Sequence, residues 1–252
     1  MTDEKKPHDG GGPERHRSPE PASDDERRDD LTWAQVRRPA AISLVALVAL
    51  VLAALVGMWS AQPRHPGADS VDAGFARDMS AHHAQAVDMS MTVRSRSTAA
   101  DIQTLSYDIA TTQENQRGQM MAWLQEWELP LAVSGERMAW MARTGHQHAG
   151  LPKGQMLLAD GRMPGMASGE QLSKLRESRG KQAEILYLRL MIVHHRAGVE
   201  MAEAAHAAAS DSQTVRLART MVEGQKSEIN LMTSMLAKRG AKPWSDAEAG
   251  QK

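Results

Sequence analysis

Two stretches of the chain, FARDMSAHHAQAVDMS at 75–90 and YLRLMIVHHRAGVEMA at 187–202, superimpose without a gap at an offset of 112 residues. Met79 falls on Met191, His82 and His83 on His194 and His195, Ala86 on Gly198, Asp88 on Glu200 and Met89 on Met201. The same register continues downstream, where Gln113 falls on Gln225, Gln116 on Glu228, Met120 on Met232 and Leu124 on Leu236. A gapless match of about fifty residues is too long for a solenoid unit and reads as one duplicated helical hairpin. Two hairpins make four helices, and any fold must hold two copies of the same pattern.

Composition agrees with an all-α chain. Aromatic residues make up 4% of the sequence, and the good helix formers Ala, Leu, Met, Gln, Glu and Arg dominate its second half. There is no cysteine, which excludes disulfides and thiolate metal sites. Of 17 methionines, 15 lie from Met79 onward, a concentration that the motifs must explain. The formal net charge of −1 gives no basic excess for nucleic acid.

Residues 1–38 are rich in Pro, Gly and charge, and read as a disordered cytoplasmic tail that cannot bury enough surface to offset its ordering entropy. Residues 39–59 follow with no charge over 21 positions, enough for a helix to cross a bilayer. Arg37 and Arg38 flank its start, and the positive-inside rule puts the C-terminal domain on the outer side. A cleaved signal peptide is the competing reading; the long charged N-terminal segment and Trp59 at −3 of the best small-residue site favour an uncleaved anchor. A stalk at 60–68 leads to a bundle at 69–240, made of hairpins 69–129 and 169–240 and a Gly- and Pro-rich crossover at 130–168; 241–252 is a C-terminal tail. Thr98 is expected to cap the second helix, while Ser168 with Gln171 and Ser210 with Gln213 resemble capping boxes for the third and fourth.

Helical spacing gathers the motif residues on one face. Counting back and forward from each hairpin turn sets His82 and His83 opposite Gln113 and Gln116, and His194 and His195 opposite Gln225 and Glu228. Met79 then approaches Met120, and Met191 approaches Met232. The expectation is one bundle layer of four histidines with Gln and Glu partners that orient each imidazole, next to a layer of four methionines. Imidazole with thioether suits soft cations, Cu(I) above all. The crossover adds Met138, Met141, His146, His148, Met163 and Met166, whose short spacings on a Gly-rich loop could wrap such an ion without a preformed cage. Against these stands the plainer interpretation of core histidines and methionine packing. A carboxylate-bridged di-iron centre needs Glu-x-x-His on two helices, and only Glu203 with His206 fits. No nucleophile elbow, phosphate loop or HExxH motif is present in the sequence.

The segments DMSAHHAQAVDM and LMIVHHRAGVEMA, the Gln113 and Gln225 helices and the MPGM run before the third helix together resemble the DUF305 family over about residues 70–238. The resemblance implies a ferritin-like antiparallel four-helix bundle and, as in some members, copper binding and copper tolerance outside the cytoplasm. It implicates His82, His83, His194, His195, Met79, Met191, Met89 and Met201. The chain departs from a symmetric pattern at Asp78, which aligns with Leu190. The resulting expectation is a single-pass membrane protein, not an enzyme, whose outer domain binds copper as Cu(I), with Ag(I) as a surrogate, and sequesters it or hands it to a partner protein. The alternatives are a structural or signalling bundle that binds a protein, with the histidines as a buried hydrogen-bond network, and a metal-dependent redox enzyme.

Overall fold

A computed structural model describes residues 24–60, 65–132, 137–146 and 151–245, with side chains of the first helix from residue 41 onward. The described residues are helical, with no strand. Helix α1, Asp24–Ser60, belongs to a compact unit of its own at 1–63. It starts inside the stretch expected to be a disordered tail, because the DDERRDDL run places acidic residues in the first turn and good helix formers behind them. Residues 1–23, with His8 and His16, lie outside the described residues, as does His148. Within α1, Ala41–Ser60 is long and apolar enough to cross a membrane, with mean hydropathy 2.8 and no part of that window buried.

The second unit, 64–252, holds the duplicated hairpins. Helix α2 is Val71–Arg94 and α3 is Ala100–Glu126; α6, Gly180–Ala208, and α7, Ser212–Lys238, repeat them. Ser70 caps α2 by accepting from the Ala73 N–H. Two expected caps differ. Ala99, not Thr98, is the N-cap residue of α3, and Ser97 Oγ accepts the Ala99 N–H instead. At α7 the cap is Asp211, whose carboxylate accepts from both Gln213 and Thr214 N–H and outcompetes the Ser210 hydroxyl. The Ser168–Gln171 capping box is present, but it opens only a short α5, Gly169–Glu177. The chain extends at Ser178 and Arg179 and restarts at Gly180, whose φ of +51° suits glycine and whose N–H donates to the Arg96 carbonyl of the first hairpin turn.

Helices α2 and α6 cross at the centre, each flanked by the other helix of its own hairpin. They run antiparallel: Asp72 meets Ser210, His82 meets His194, Ser90 meets Tyr187 and Ser97 meets Glu184. Asp72 and Glu184 hold the same position in the two repeats. Asp72 accepts the N–H groups of Ser210 and Asp211 in the second hairpin's turn, while Glu184 accepts from Ser97 Oγ in the first and from Arg239. This cross-stapling is the signature of a two-fold axis between His82 and His194.

The polar centre divides the core in two. One end is built from Phe75, Met79, Met120, Trp123, Met201 and the crossover; the other from Met89, Tyr187, Met191, Met232, Leu236 and Trp244. The crossover is an integral part of its end. Asp78 accepts from the Met138 N–H at 2.8 Å and from Trp140 Nε1 at 3.0 Å, which holds Met138 at a φ of +63° before the short α4, Ala139–Arg143. Asp78, the acidic residue that aligns with an apolar one in the second repeat, therefore docks the crossover, and Leu190 has no such task. Residues 241–245, expected as tail, lie along α6: Trp244 is buried, Arg189 stacks over its ring at 5.5 Å and Arg196 donates to its carbonyl.

Trp140 packs on the bare backbone of Gly74, where a Cβ would stand 2.5 Å from its Cγ. Gly74→Ala should therefore destabilise the domain by about 1–3 kcal/mol through forced repacking, read as a lower midpoint in thermal or denaturant unfolding. An unchanged midpoint would mean that the crossover is not seated on α2.

Candidate metal centre

All four motif histidines are fully buried. His82 and His194 stack at the axis with ring centroids 3.6 Å apart, and each is followed by a histidine turned about 100° further round its helix. Those second histidines reach their expected partners: His83 Nε2 is 2.8 Å from Gln116 Oε1, and His195 Nε2 is 2.7 Å from Glu228 Oε2. A carboxylate only accepts, so His195 donates from Nε2. His194 likewise donates from Nε2 to the His82 backbone carbonyl at 2.9 Å, and His83 to the amide oxygen of Gln116. Three imidazoles are thereby fixed in one tautomer, with Nδ1 as a bare acceptor.

None of those three Nδ1 atoms, on His83, His194 and His195, has a hydrogen-bond partner among the described residues. Gln113 and Gln225, expected to face histidines, are buried, yet neither amide bonds to a described group. Gln225 instead lies on the bare backbone of Gly198, its Oε1 2.4 Å from where a Cβ would stand. A buried polar group without a partner forfeits about 1–3 kcal/mol, so this layer is poorly suited to stability alone. Burial also disfavours the charged form of two of its rings. It pushes the His83 imidazole down to about 4, an effect opposed by the Gln116 bond and reinforced by His195, and it holds His194 well below the usual range with help from the three neighbouring imidazoles.

The methionines do not form the single layer expected of them. Met79, Met120 and Met201 lie in one core, Met191, Met232 and Met89 in the other, all fully buried. The reason is the antiparallel crossing: a turn before His82 on α2 and a turn before His194 on α6 lead to opposite sides of the axis. Each triad is the two-fold image of the other, so thioethers bracket the histidine layer from both ends. The crossover residues are corrected as well. Met138, Met141 and Met163 do not wait on an open loop; they are buried in the first core with Met79 and Met120, held there by Asp78 and by the MPGM turn. That turn packs Gly165 onto the backbone of Val193 and His194, and the Gln85 amide exchanges two hydrogen bonds with Ala167. Met166 and His146 are half-buried.

Sequence reasoning missed Asp72, Glu184, Gln85 and Trp244. The alignment of Asp72 on Glu184 was an available signal, as was a lone tryptophan in an otherwise polar terminal segment.

The donor set of imidazole Nδ1 atoms bracketed by thioethers fits a soft cation of low coordination number. No group of three or more His, Asp or Glu side chains converges as an ion site among the described residues. A site here would draw on few nitrogens and on sulfur.

The molecule is thus an all-α bundle of two duplicated hairpins with a buried histidine layer between two methionine-rich cores. It belongs to the DUF305 family, described as a domain of unknown function, whose family model matches residues 72–236. It is 48% identical to a DUF305 protein from Streptomyces coelicolor described as secreted, over 71% of this chain and 99% of that one, with a TM-score of 0.63. A DUF305 fragment from Deinococcus radiodurans is 30% identical over 69% and 99% of the two chains, with a TM-score of 0.54. CopM, solved in a Cu(I)-bound form, shares 20% identity over 66% and 96%, with a TM-score of 0.49. No curated protein matches the chain.

The metal-free protein should lose stability on acidification. An unfolded imidazole takes up a proton near pH 6.5, whereas folded His83 does so only near 4, so between those values the unfolded state binds more protons. His83 alone removes on the order of 3 kcal/mol as pH falls through that window, with little change above it. Denaturant unfolding between pH 4 and 7.5 reads this directly, and His83→Gln should flatten the slope; a flat wild-type profile would contradict a neutral, buried His83.

Proposed function

We propose that this protein is a membrane-anchored, extracytoplasmic metal-binding protein that holds Cu(I) in its histidine layer and sequesters it or passes it to a partner in copper tolerance. The observation that carries the reading is the set of buried Nδ1 acceptors on His83, His194 and His195, each on a ring whose Nε2–H already donates to an oxygen acceptor. Met79, Met120 and Met201 on one side of His82, and Met89, Met191 and Met232 on the other, supply the soft donors that favour Cu(I) or Ag(I) over harder ions. Gln116 and Glu228 hold the rings in orientation, and the charged acceptor makes His195 the stronger ligand. The uncharged Ala41–Ser60 segment supports a membrane anchor, and Arg37 and Arg38 support a cytoplasmic N-terminus. The absence of cysteine suits a metal site in an oxidising compartment.

A second reading, a purely structural layer whose bundle binds a protein partner, is favoured by the stacked His82–His194 pair and by the lack, among the described residues, of three converging His, Asp or Glu side chains. The two diverge in a titration of the full chain in detergent with Cu(I) against a chromophoric chelator. Metal binding predicts that alanine at His82, His83, His194 and His195 together abolishes tight binding, and that Glu228→Gln, which copies the first repeat, weakens it by about tenfold. The structural reading predicts unchanged stoichiometry and affinity, with stability lost equally in the presence and absence of metal.

A further inference from the structure

The histidine layer is sealed at both ends by apolar core, so an ion must reach it from the side. Helices α3 and α7 do not pack closely on one another, and between them lies a groove of about 440 Å³. Its walls carry no charge and are polar but for Leu217: Thr112, Asn115, Gln116 and Gln119 on α3, with Leu217 and Thr220 on α7. Gln116 belongs to both places. It lines the groove, and its Oε1 is the partner of buried His83. One turn earlier, Gln113 is 3% exposed and its amide bonds to no described group, so a second oxygen stands on the inner side of the same helix face.

We propose that the α3–α7 groove is the inlet of the histidine layer, through which a soft monovalent cation passes over neutral oxygens to Gln116 and then to His83. The proposal rests on the reading that the layer binds such an ion. Neutral oxygen donors hold a soft cation weakly, so they conduct without trapping it. The two-fold counterpart of Gln116 is Glu228, and the contrast sets the direction. The bond from His195 to the Glu228 carboxylate is held by a charged acceptor, roughly twice as strong as the neutral bond from His83 to Gln116. The neutral pair is the easier one to open. The duplication has thus diverged into one side that opens and one that grips.

The test blocks each side in turn. Thr112 is an exposed wall of the groove, and its repeat counterpart is Gly224, also exposed, with nothing near its Cβ position. Full-length protein in detergent is mixed with Cu(I) as its acetonitrile complex, and untaken Cu(I) is trapped by a chromophoric chelator at successive times; release is followed by adding excess chelator to loaded protein. Thr112→Trp should slow uptake and release alike, by about tenfold, with affinity held within about twofold. Gly224→Trp should match wild type. Thr220→Trp on the opposite wall should reproduce Thr112→Trp and covers the case in which the first variant fails to fold. Unchanged rates in both groove variants, or equal slowing by Gly224→Trp, would overturn the inlet. A wild-type chain that takes up no Cu(I) would overturn the binding reading and the inlet with it.

Discussion

The stacking of His82 on His194 is the contact on which the rest of the domain depends. It sets two copies of one motif face to face on antiparallel helices, and an antiparallel crossing of identical segments generates a two-fold axis. Everything paired across the domain follows from that axis: Asp72 and Glu184 stapling opposite turns, the His83–Gln116 and His195–Glu228 pairs, and the two methionine triads. Symmetry also explains why the polar layer is narrow. Residues near the axis meet their own counterparts, whereas residues a turn away meet apolar neighbours of the other repeat.

Such a layer is an expensive way to join two cores. Bare Nδ1 atoms and partnerless amides lose hydrogen bonds that an apolar layer would never need, and a domain has only about 5–15 kcal/mol to lose. Burial adds to this cost by forcing His83 and His194 to stay neutral at pH values where the unfolded chain would protonate them. Neutral imidazoles with bare nitrogens are the state in which histidine ligates a soft cation. The features that weaken the apoprotein are therefore the same ones that suit a metal, and a bound ion would return stability by linkage.

Much of this was legible in the sequence, because duplication supplies an internal ruler. The shared offset located both hairpins, and equal counting from each turn set His82 and His83 opposite Gln113 and Gln116, and His194 and His195 opposite Gln225 and Glu228; the bonds that form are His83–Gln116 and His195–Glu228. Counting within a hairpin cannot say how two hairpins face each other, which is why Met79 and Met191 were expected in one layer and lie in two. Asp78 read as a broken symmetry; only the fold shows that it reaches a crossover with no counterpart in the second repeat. The crossover methionines were expected on a Gly-rich loop without a preformed cage because Gly and Pro spacing signals turns and carries no information about what a turn packs against. The capping residue of α7 was misplaced by one position because a serine and an aspartate compete there, and the carboxylate accepts two N–H groups at once.

Metal binding in the histidine layer would engage particular nitrogen atoms, which can be observed one by one. In full-length protein carrying ¹⁵N-histidine, the Nδ1 resonances of His83, His194 and His195 should lie at acceptor positions without metal. On addition of Ag(I) they should move together and acquire coupling to the silver nucleus. Resonances that stay at their metal-free positions at saturating Ag(I), or that move only for histidines outside the bundle, would contradict the account and leave the histidine layer as architecture alone.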